Sequence, residues 1–419
     1  MTFLSLGLSE PLTRAVADLG YDEPTPVQRA AIPAVLRGQD VWASAQTGSG
    51  KTAAFLLPIL HRLSAPPARS PRPVRALVLV PTRELAAQVH EAVEQYAKLL
   101  PRPLKAVLAV GGVSANPQML ALRGGADLVV ATPGRALDLV EQNALRLSAV
   151  EMLVLDEADR LLSLGFSDEL NRLLALLPAR RQNLLFSATF PAAVQTLAAG
   201  LLREPVRITV EASESAPAPD IRQRALIVDT DKRTMLLRHL LDTHPWSHAL
   251  VFVASRYGAD HVALKLQRAG VAALALHGDQ SQGVRTQALE DFKARRVRVL
   301  VATDLAARGL DIAQLPAVVN YDLPRSPTDY LHRIGRTGRA GEPGTALSFV
   351  TADTEAHFRV IERRHGLRLE RETIPAFEPT EVAAPVLDPH GGIKGKRKSK
   401  KDKLREAAAA SAKGPTRKR

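Results

Sequence analysis

A chain of 419 residues, 46% hydrophobic and 24% charged, is long enough to bury the cores of two globular domains. It contains no cysteine, which excludes disulfides and thiolate metal sites and suits a reducing compartment. Its net charge of +13 is unevenly spread: residues 391–419 hold 12 Lys/Arg against 2 Asp/Glu, leaving +3 for the other 390. The opening MTFLSLGLSEPLTRAV lacks the basic start and apolar centre of a secretory signal. No apolar run approaches the ~18 residues of a membrane helix, so a cytoplasmic protein without a membrane partner is expected.

In chain order, the first informative stretch is Ala45–Thr52, AQTGSGKT. Asp40–Ser44 before it can form a short buried strand, and Thr52–Leu60 after it can begin a helix. Gly48 and Gly50 let the loop Ala45, Gln46, Thr47, Gly48, Ser49, Gly50 turn so that successive N–H groups face one concavity. An anion fits there, because the helix N-terminus adds partial positive charge. Lys51 would reach the outer phosphates of a nucleotide, and the Thr52 hydroxyl would ligate Mg²⁺. Ala45 stands where the strict phosphate-loop pattern has glycine, so a plain Gly-rich turn beside a surface lysine is the competing reading at this point.

Strand-length apolar runs then alternate with helix-like stretches, at 76–80, 105–110, 127–131, 151–155 and 183–186, and again at 225–229, 249–254, 271–276, 297–302, 317–321 and 345–350. Continuous Val/Leu/Ile runs of this kind indicate parallel sheets covered on both faces. Glu211–Asp220, EASESAPAPD, has little that can pack and reads as a linker. The expected class is α/β: a first parallel-sheet domain over 1–210, a linker over 211–221, a second domain over 222–370, and an extension with a disordered basic tail over 371–419. The Lys-, Gly- and Ser-rich end cannot bury enough apolar surface to fold alone. It is either merely solvated or an electrostatic tether to a polyanion, and motifs elsewhere that point to nucleic acid favour the tether.

The unusual residues stand directly after the strands: PTREL, GG, TPGR, DEAD and SAT in the first half, then SR, HGD and TD in the second. Open α/β sheets bind ligands at the carboxyl ends of their strands, so a site is expected along this edge. Asp156-Glu157-Ala158-Asp159 follows the run at 151–155. Asp156 is suited to hold Mg²⁺ through water, and Glu157 to orient or deprotonate a water attacking a γ-phosphate. Three acids this close are also a common helix start. Their pairing with AQTGSGKT favours the catalytic reading.

The segments AQTGSGKT, PTREL, TPGR, VLDEAD, SAT, VATDLAARGLDI and HRIGRTGR, in this order, resemble the DEAD-box ATP-dependent RNA helicases, with flanks similar to the bacterial RhlE-like branch. The resemblance covers roughly residues 1–370 and leaves out the tail. It implies two tandem RecA-like P-loop domains, with ATP and Mg²⁺ as cofactors and RNA as partner.

The resemblance also implies roles for single residues. In GYDEPTPVQ, Gln28 would read adenine, pairing through its amide as glutamine does on adenine elsewhere, and Phe3 would stack on the base, although a core phenylalanine is the alternative. Ser187 and Thr189 of SAT would hydrogen-bond Asp159. Arg336 and Arg339 of HRIGRTGR would act as arginine fingers on the γ-phosphate, and His332 would lie near Asp159, linking the domains. Asp311 would accept from the ATP ribose, with Gly309 allowing close approach. RNA contacts would come from Thr82, Arg83, Gly112, Thr132 and Arg135 in the first domain and from Arg285 and Thr303 in the second. Such groups hold phosphates and sugars without reading sequence. With aromatics only 4% of the chain, no stacking platform for single strands is evident.

The expected activity is therefore RNA-stimulated ATP hydrolysis driving local duplex unwinding or RNP remodelling, in a setting such as ribosome assembly or RNA turnover, with a monomer as the simplest assembly. A split site, with Arg336 and Arg339 supplied by the second domain, would make hydrolysis depend on closure. Two rivals stay open on sequence alone: an ATP-gated RNA clamp that unwinds little, and a DNA-directed or protein-directed ATPase of the same superfamily.

Overall fold

The computed structural model describes residues 2–45, 48–65, 72–210, 221–307, 315–338 and 343–381. The chain divides into two compact units, each built on one seven-stranded sheet. The first sheet comprises β1 (Val41–Ser44), β2 (Ala76–Leu79), β3 (Ala106–Ala109), β4 (Leu128–Ala131), β5 (Met152–Leu155), β6 (Gln182–Ser187) and β7 (Val206–Thr209). The second comprises β8 (Ile221–Ile227), β9 (Ala249–Val253), β10 (Ala273–Leu276), β11 (Val299–Thr303), β12 (Ala317–Asn320), β13 (Gly344–Val350) and β14 (Arg371–Glu372).

The strand orders are β3-β4-β2-β5-β6-β1-β7 and β10-β11-β9-β12-β13-β8-β14, so each sheet numbered from its own first strand reads 3-4-2-5-6-1-7. Every strand pair among the described residues is parallel. The two units thus share one topology, a doubled RecA-like fold.

The apolar runs explain this arrangement. Successive strand side chains point to opposite faces, so a strand buried on both sides must be apolar throughout. On β2, Ala76 and Val78 join a core with Phe55, Val154, Leu184 and Phe186. Leu77 and Leu79 join the opposite core with Leu153, Leu155 and Leu185. Helices Pro26–Leu36, Lys51–Leu63 and Arg83–Ala97 cover the first face, and Pro133–Glu141 and Ser167–Leu176 the other. Among the described residues no helix is long and apolar enough to cross a membrane.

The structure shifts the edges expected from sequence. Ile221, read as the end of the linker, already opens β8, while 211–220 lie outside the described residues. The second unit continues past 370: Arg371–Glu372 pair with β8, and Phe377 is buried. Asp229, 2% exposed, accepts hydrogen bonds from Thr380 N, Glu381 N and the Thr380 hydroxyl, which fastens the segment after β14. The expected extension therefore begins as part of the sheet, and the tail proper, 391–419, lies outside the described residues.

Candidate functional site

The phosphate loop begins where β1 ends. Ala45 is 2% exposed and its N–H bonds Ser187 O of the neighbouring strand at 3.1 Å, so the loop leaves from a fixed point on the sheet. Gly48 and Gly50 have φ of 82° and 90°, which side-chain-bearing residues rarely adopt. A Cβ at Gly50 would lie 2.4 Å from Gln28 Nε2, so a side chain there would push the glutamine amide aside. Lys51 opens helix Lys51–Leu63, is buried, and donates from Nζ to Ala45 O at 2.9 Å, curling across the loop. Thr52 and Ser49 are half-buried beside it. Gln46 and Thr47 lie outside the described residues.

Gln28 closes one side of the loop. Its Oε1 accepts from Thr25 N at 2.9 Å and its Nε2 donates to Gly50 O at 3.1 Å. An amide can accept twice and donate twice, so one acceptor and one donor position remain for a ligand. Phe3, expected to stack on a base, is instead 3% exposed and part of the first unit's apolar core with Leu6 and Leu8. Its ring has no open face, and hydrophobic burial near the chain start accounts for it.

The acidic segment follows β5. Asp156 is 2% exposed; its N–H bonds Leu79 O, and its Oδ1 accepts from Glu157 N at 2.9 Å. Burial pushes the Asp156 carboxyl up to about 6, with Lys51 pulling the other way and Glu157 adding to the rise. Glu157 has φ 52° and ψ 51°, left-handed backbone that is uncommon for a non-glycine residue and is found at functional sites. Its Oε2 pairs with Arg160 Nη1 at 3.0 Å. Asp159 takes the Thr189 hydroxyl at 2.6 Å and Thr189 N at 3.2 Å on Oδ2, while Asp159 N donates to Ser187 Oγ at 3.2 Å. DEAD and SAT are thus one hydrogen-bonded cluster at the ends of adjacent β5 and β6.

A second cluster forms at the ends of β2, β3 and β4, which are neighbours in the sheet. Thr82 caps helix Arg83–Ala97, accepting from Leu85 N at 3.3 Å. The Arg83 guanidinium lies directly over Gly112, where a Cβ would come within 2.2 Å of it. Thr132 Oγ1 accepts from Gly111 N at 3.3 Å, and Arg135 Nη2 donates to Val113 O at 2.7 Å. Gln118, which sequence reasoning passed over, holds the same loop by bonding Val110 N, Val110 O and Ser114 O. Two guanidinium groups and a turn of backbone around glycine therefore converge, a combination suited to a phosphodiester.

In the second unit, Thr303 ends β11 in register with Val253 of β9, whereas Arg285, expected in that unit and standing in the first turn of helix Gln282–Lys293, lies in a segment, Gly278–Gln287, that groups with the first unit. His332 belongs to helix Pro327–Ile334, with Arg336 just beyond it and 7% exposed. Gly309, Asp311 and Arg339 lie outside the described residues. Arg333, the first arginine of HRIGRTGR, is internal. It is 2% exposed, binds both Asp304 oxygens at 2.6 and 2.7 Å, Asn320 Oδ1 at 3.0 Å and Asp322 O at 2.6 Å, and sits over the Phe252 ring. Its partners come from three other segments, and the only trace in sequence is the acid that follows Thr303.

Comparison with known proteins agrees with this geometry. Residues 25–197 match the DEAD/DEAH box helicase family model and 231–341 the helicase conserved C-terminal domain. The chain is 41% identical over 377 residues to the DEAD-box ATP-dependent RNA helicase CshA of Geobacillus kaustophilus, covering 90% of this chain and 79% of that protein. It is 42% identical over 391 residues to DEAD-box ATP-dependent RNA helicase 28 of rice (Oryza sativa), covering 92% of this chain but spanning about half, 48%, of that longer protein. The structure is similar to S. cerevisiae Dbp5 bound to RNA and ADP BeF3, with TM-score 0.78 and 32% identity over 89% of this chain and 95% of that one. It also resembles Mss116p bound to ssRNA and AMP-PNP, with TM-score 0.78 and 28% identity over 88% and 78%. The chain belongs to the DEAD-box family of ATP-dependent RNA helicases, RNA-dependent ATPases built on two RecA-like domains.

Proposed function

We propose that this chain hydrolyses ATP at the Ala45–Thr52 loop when RNA is bound, and uses the cycle for local duplex opening or RNP remodelling. The observation that supports this most is the convergence of Lys51, Asp156 and Glu157, all buried, beyond the carboxyl ends of β1 and β5, the two strands that flank β6. Lys51 exchanges its bond to Ala45 O for the outer phosphates, and the loop N–H groups hold them. The remaining donor and acceptor of Gln28 match adenine N7 and its amino group, which selects ATP over GTP.

Mg²⁺ fits the donors present. Asp156 Oδ2 accepts from no described protein group, Thr52 adds a hydroxyl, and both are the hard oxygen ligands this ion takes alongside substrate phosphates. When bound, the ion neutralises charge building on the triphosphate. Glu157 orients the attacking water and accepts its proton at the carboxylate, and the guanidinium groups of Arg336 and Arg339 balance charge on the transferring phosphoryl group. Thr82, Arg83, Gly112, Thr132 and Arg135, with Arg285 and Thr303, hold the RNA backbone.

The finer assignment is to the RhlE-like branch, acting as a cytoplasmic monomer whose basic tail adds salt-sensitive RNA affinity; the motif flanks and the charge of 391–419 support it. Glu157→Gln tests the core of this reading: ATP and RNA binding persist while turnover falls by about 100-fold or more. Near-parental turnover would remove Glu157 from the mechanism.

A further inference from the structure

We infer that Arg160 is a positioning residue for the reaction, orienting the Glu157 carboxylate by a dedicated buried ion pair. This rests on the assignment of Glu157 as the group that handles the attacking water. Arg160 and Glu157 are each 6% exposed, and their side chains meet through Nη1 and Oε2 at 3.0 Å. That bond is the guanidinium's one side-chain hydrogen bond among the described residues. It is a large cation held inside the protein for one carboxylate oxygen. Glu157 Oε1 takes no hydrogen bond from a described protein group and stays available to a water.

The local backbone explains why such a partner is needed. Glu157 stands at φ 52°, ψ 51°, between the end of β5 and the short helix Ala158–Ser163. Its N–H is spent on Asp156 Oδ1, and its O accepts from Arg160 N and Leu161 N at 2.9 and 3.0 Å. The backbone is therefore fixed while the side chain, with three torsions of its own, is not. Asp159 is held by Thr189 and Ser187 and gives Glu157 no support. Arg160, one turn along the same helix, supplies the missing constraint, leaving one carboxylate oxygen tied and the other open. Misplacing a reacting group by about 1 Å can cost on the order of 100-fold in rate.

The test uses the full chain at saturating RNA. Arg160→Gln and Arg160→Met, the second keeping the apolar stem so that a folding defect in one variant does not hide the result, lower kcat by about 10- to 100-fold, with KM for ATP and the RNA concentration for half-stimulation within about threefold of the parent. Arg160→Lys, which restores a cation with a different geometry, recovers at least about half of the lost log-rate. In a Glu157→Gln background, adding Arg160→Gln changes the residual rate by less than about twofold, because the group it orients is gone. A parental kcat in the folded neutral variants, or an equal rise in KM for ATP, would overturn the inference while leaving Glu157 in place. A Glu157→Gln enzyme that still turns over would instead overturn the reading beneath it.

Discussion

At the scale of single residues, two glycines and one glutamine set how closely groups approach. Gly112 has room for the Arg83 guanidinium only because it lacks a side chain, and its φ of 72° is left-handed. Gly112→Ala displaces Arg83 and raises the RNA concentration for half-maximal stimulation by about fivefold or more, with KM for ATP at saturating RNA unchanged; RNA titrations of ATPase rate and fluorescence anisotropy check both parts. Unchanged RNA dependence would detach this cluster from RNA. Gln28→Ala removes both the loop bridge to Gly50 O and the proposed adenine contact. The ratio of kcat/KM for ATP over GTP falls by about 10-fold, roughly the worth of one or two hydrogen bonds, in parallel assays with the two nucleotides. An unchanged ratio would confine Gln28 to loop support. Phe3 shows why residue roles carried from a resemblance need coordinates: spacing identified an aromatic upstream, but only packing reveals that the ring is enclosed.

At the scale of elements, the strands that were legible are those buried on both faces. The runs at 76–80 and 151–155 contain β2 and β5 almost unchanged, because every position of these two strands is apolar. The edge strands β7 and β14 left no such mark, unlike β3 and β10 at the opposite edges. Of β7, Val206–Thr209, only Ile208 is buried, and β14 has two charged residues held through their side chains. Arg371 binds Glu355 and Glu362, and Arg224 binds Glu372. Burial opposes ionisation of Glu355, but Arg371 and Arg359 hold it below its ordinary 4.5; the Arg371 hydrogen bonds do the same for Glu362.

Carboxyls whose folded values are depressed stabilise the fold fully above 4.5 and lose that contribution as pH falls through the folded values. Arg371→Met therefore lowers the unfolding temperature of the second unit's transition by about 3 °C near neutrality. The gap from the parent shrinks between about pH 5 and about pH 3. Thermal melts across that range check it, and a gap that stays constant or widens on acidification would show that Arg371 acts through packing alone.

At the scale of the whole molecule, the pairing of motifs with strand ends was readable because the doubly covered sheet leaves only its carboxyl edge for chemistry. The shared order 3-4-2-5-6-1-7 was not, since strand order is set by which crossovers pack and not by composition. Arg333 escaped for a similar reason: Asp304, Asn320 and Asp322 meet it only once β11, β12 and the following helix are assembled. The charge of 391–419 gives the tail its own prediction. Deleting it leaves the maximal ATPase rate within about twofold but raises the RNA requirement, more at about 200 mM than at about 50 mM salt, as RNA titrations at both salts report. Identical RNA dependence in the two chains would leave the tail merely solvated.

The central claim is that RNA completes a hydrolysis site built on Lys51, Asp156 and Glu157. It is tested most directly by the steady-state ATPase rate of the full chain with a saturating RNA oligonucleotide, with DNA of the same sequence, and with neither. An increase of about 10-fold or more with RNA and little with DNA is the expected result. Equal rates in all three would contradict it.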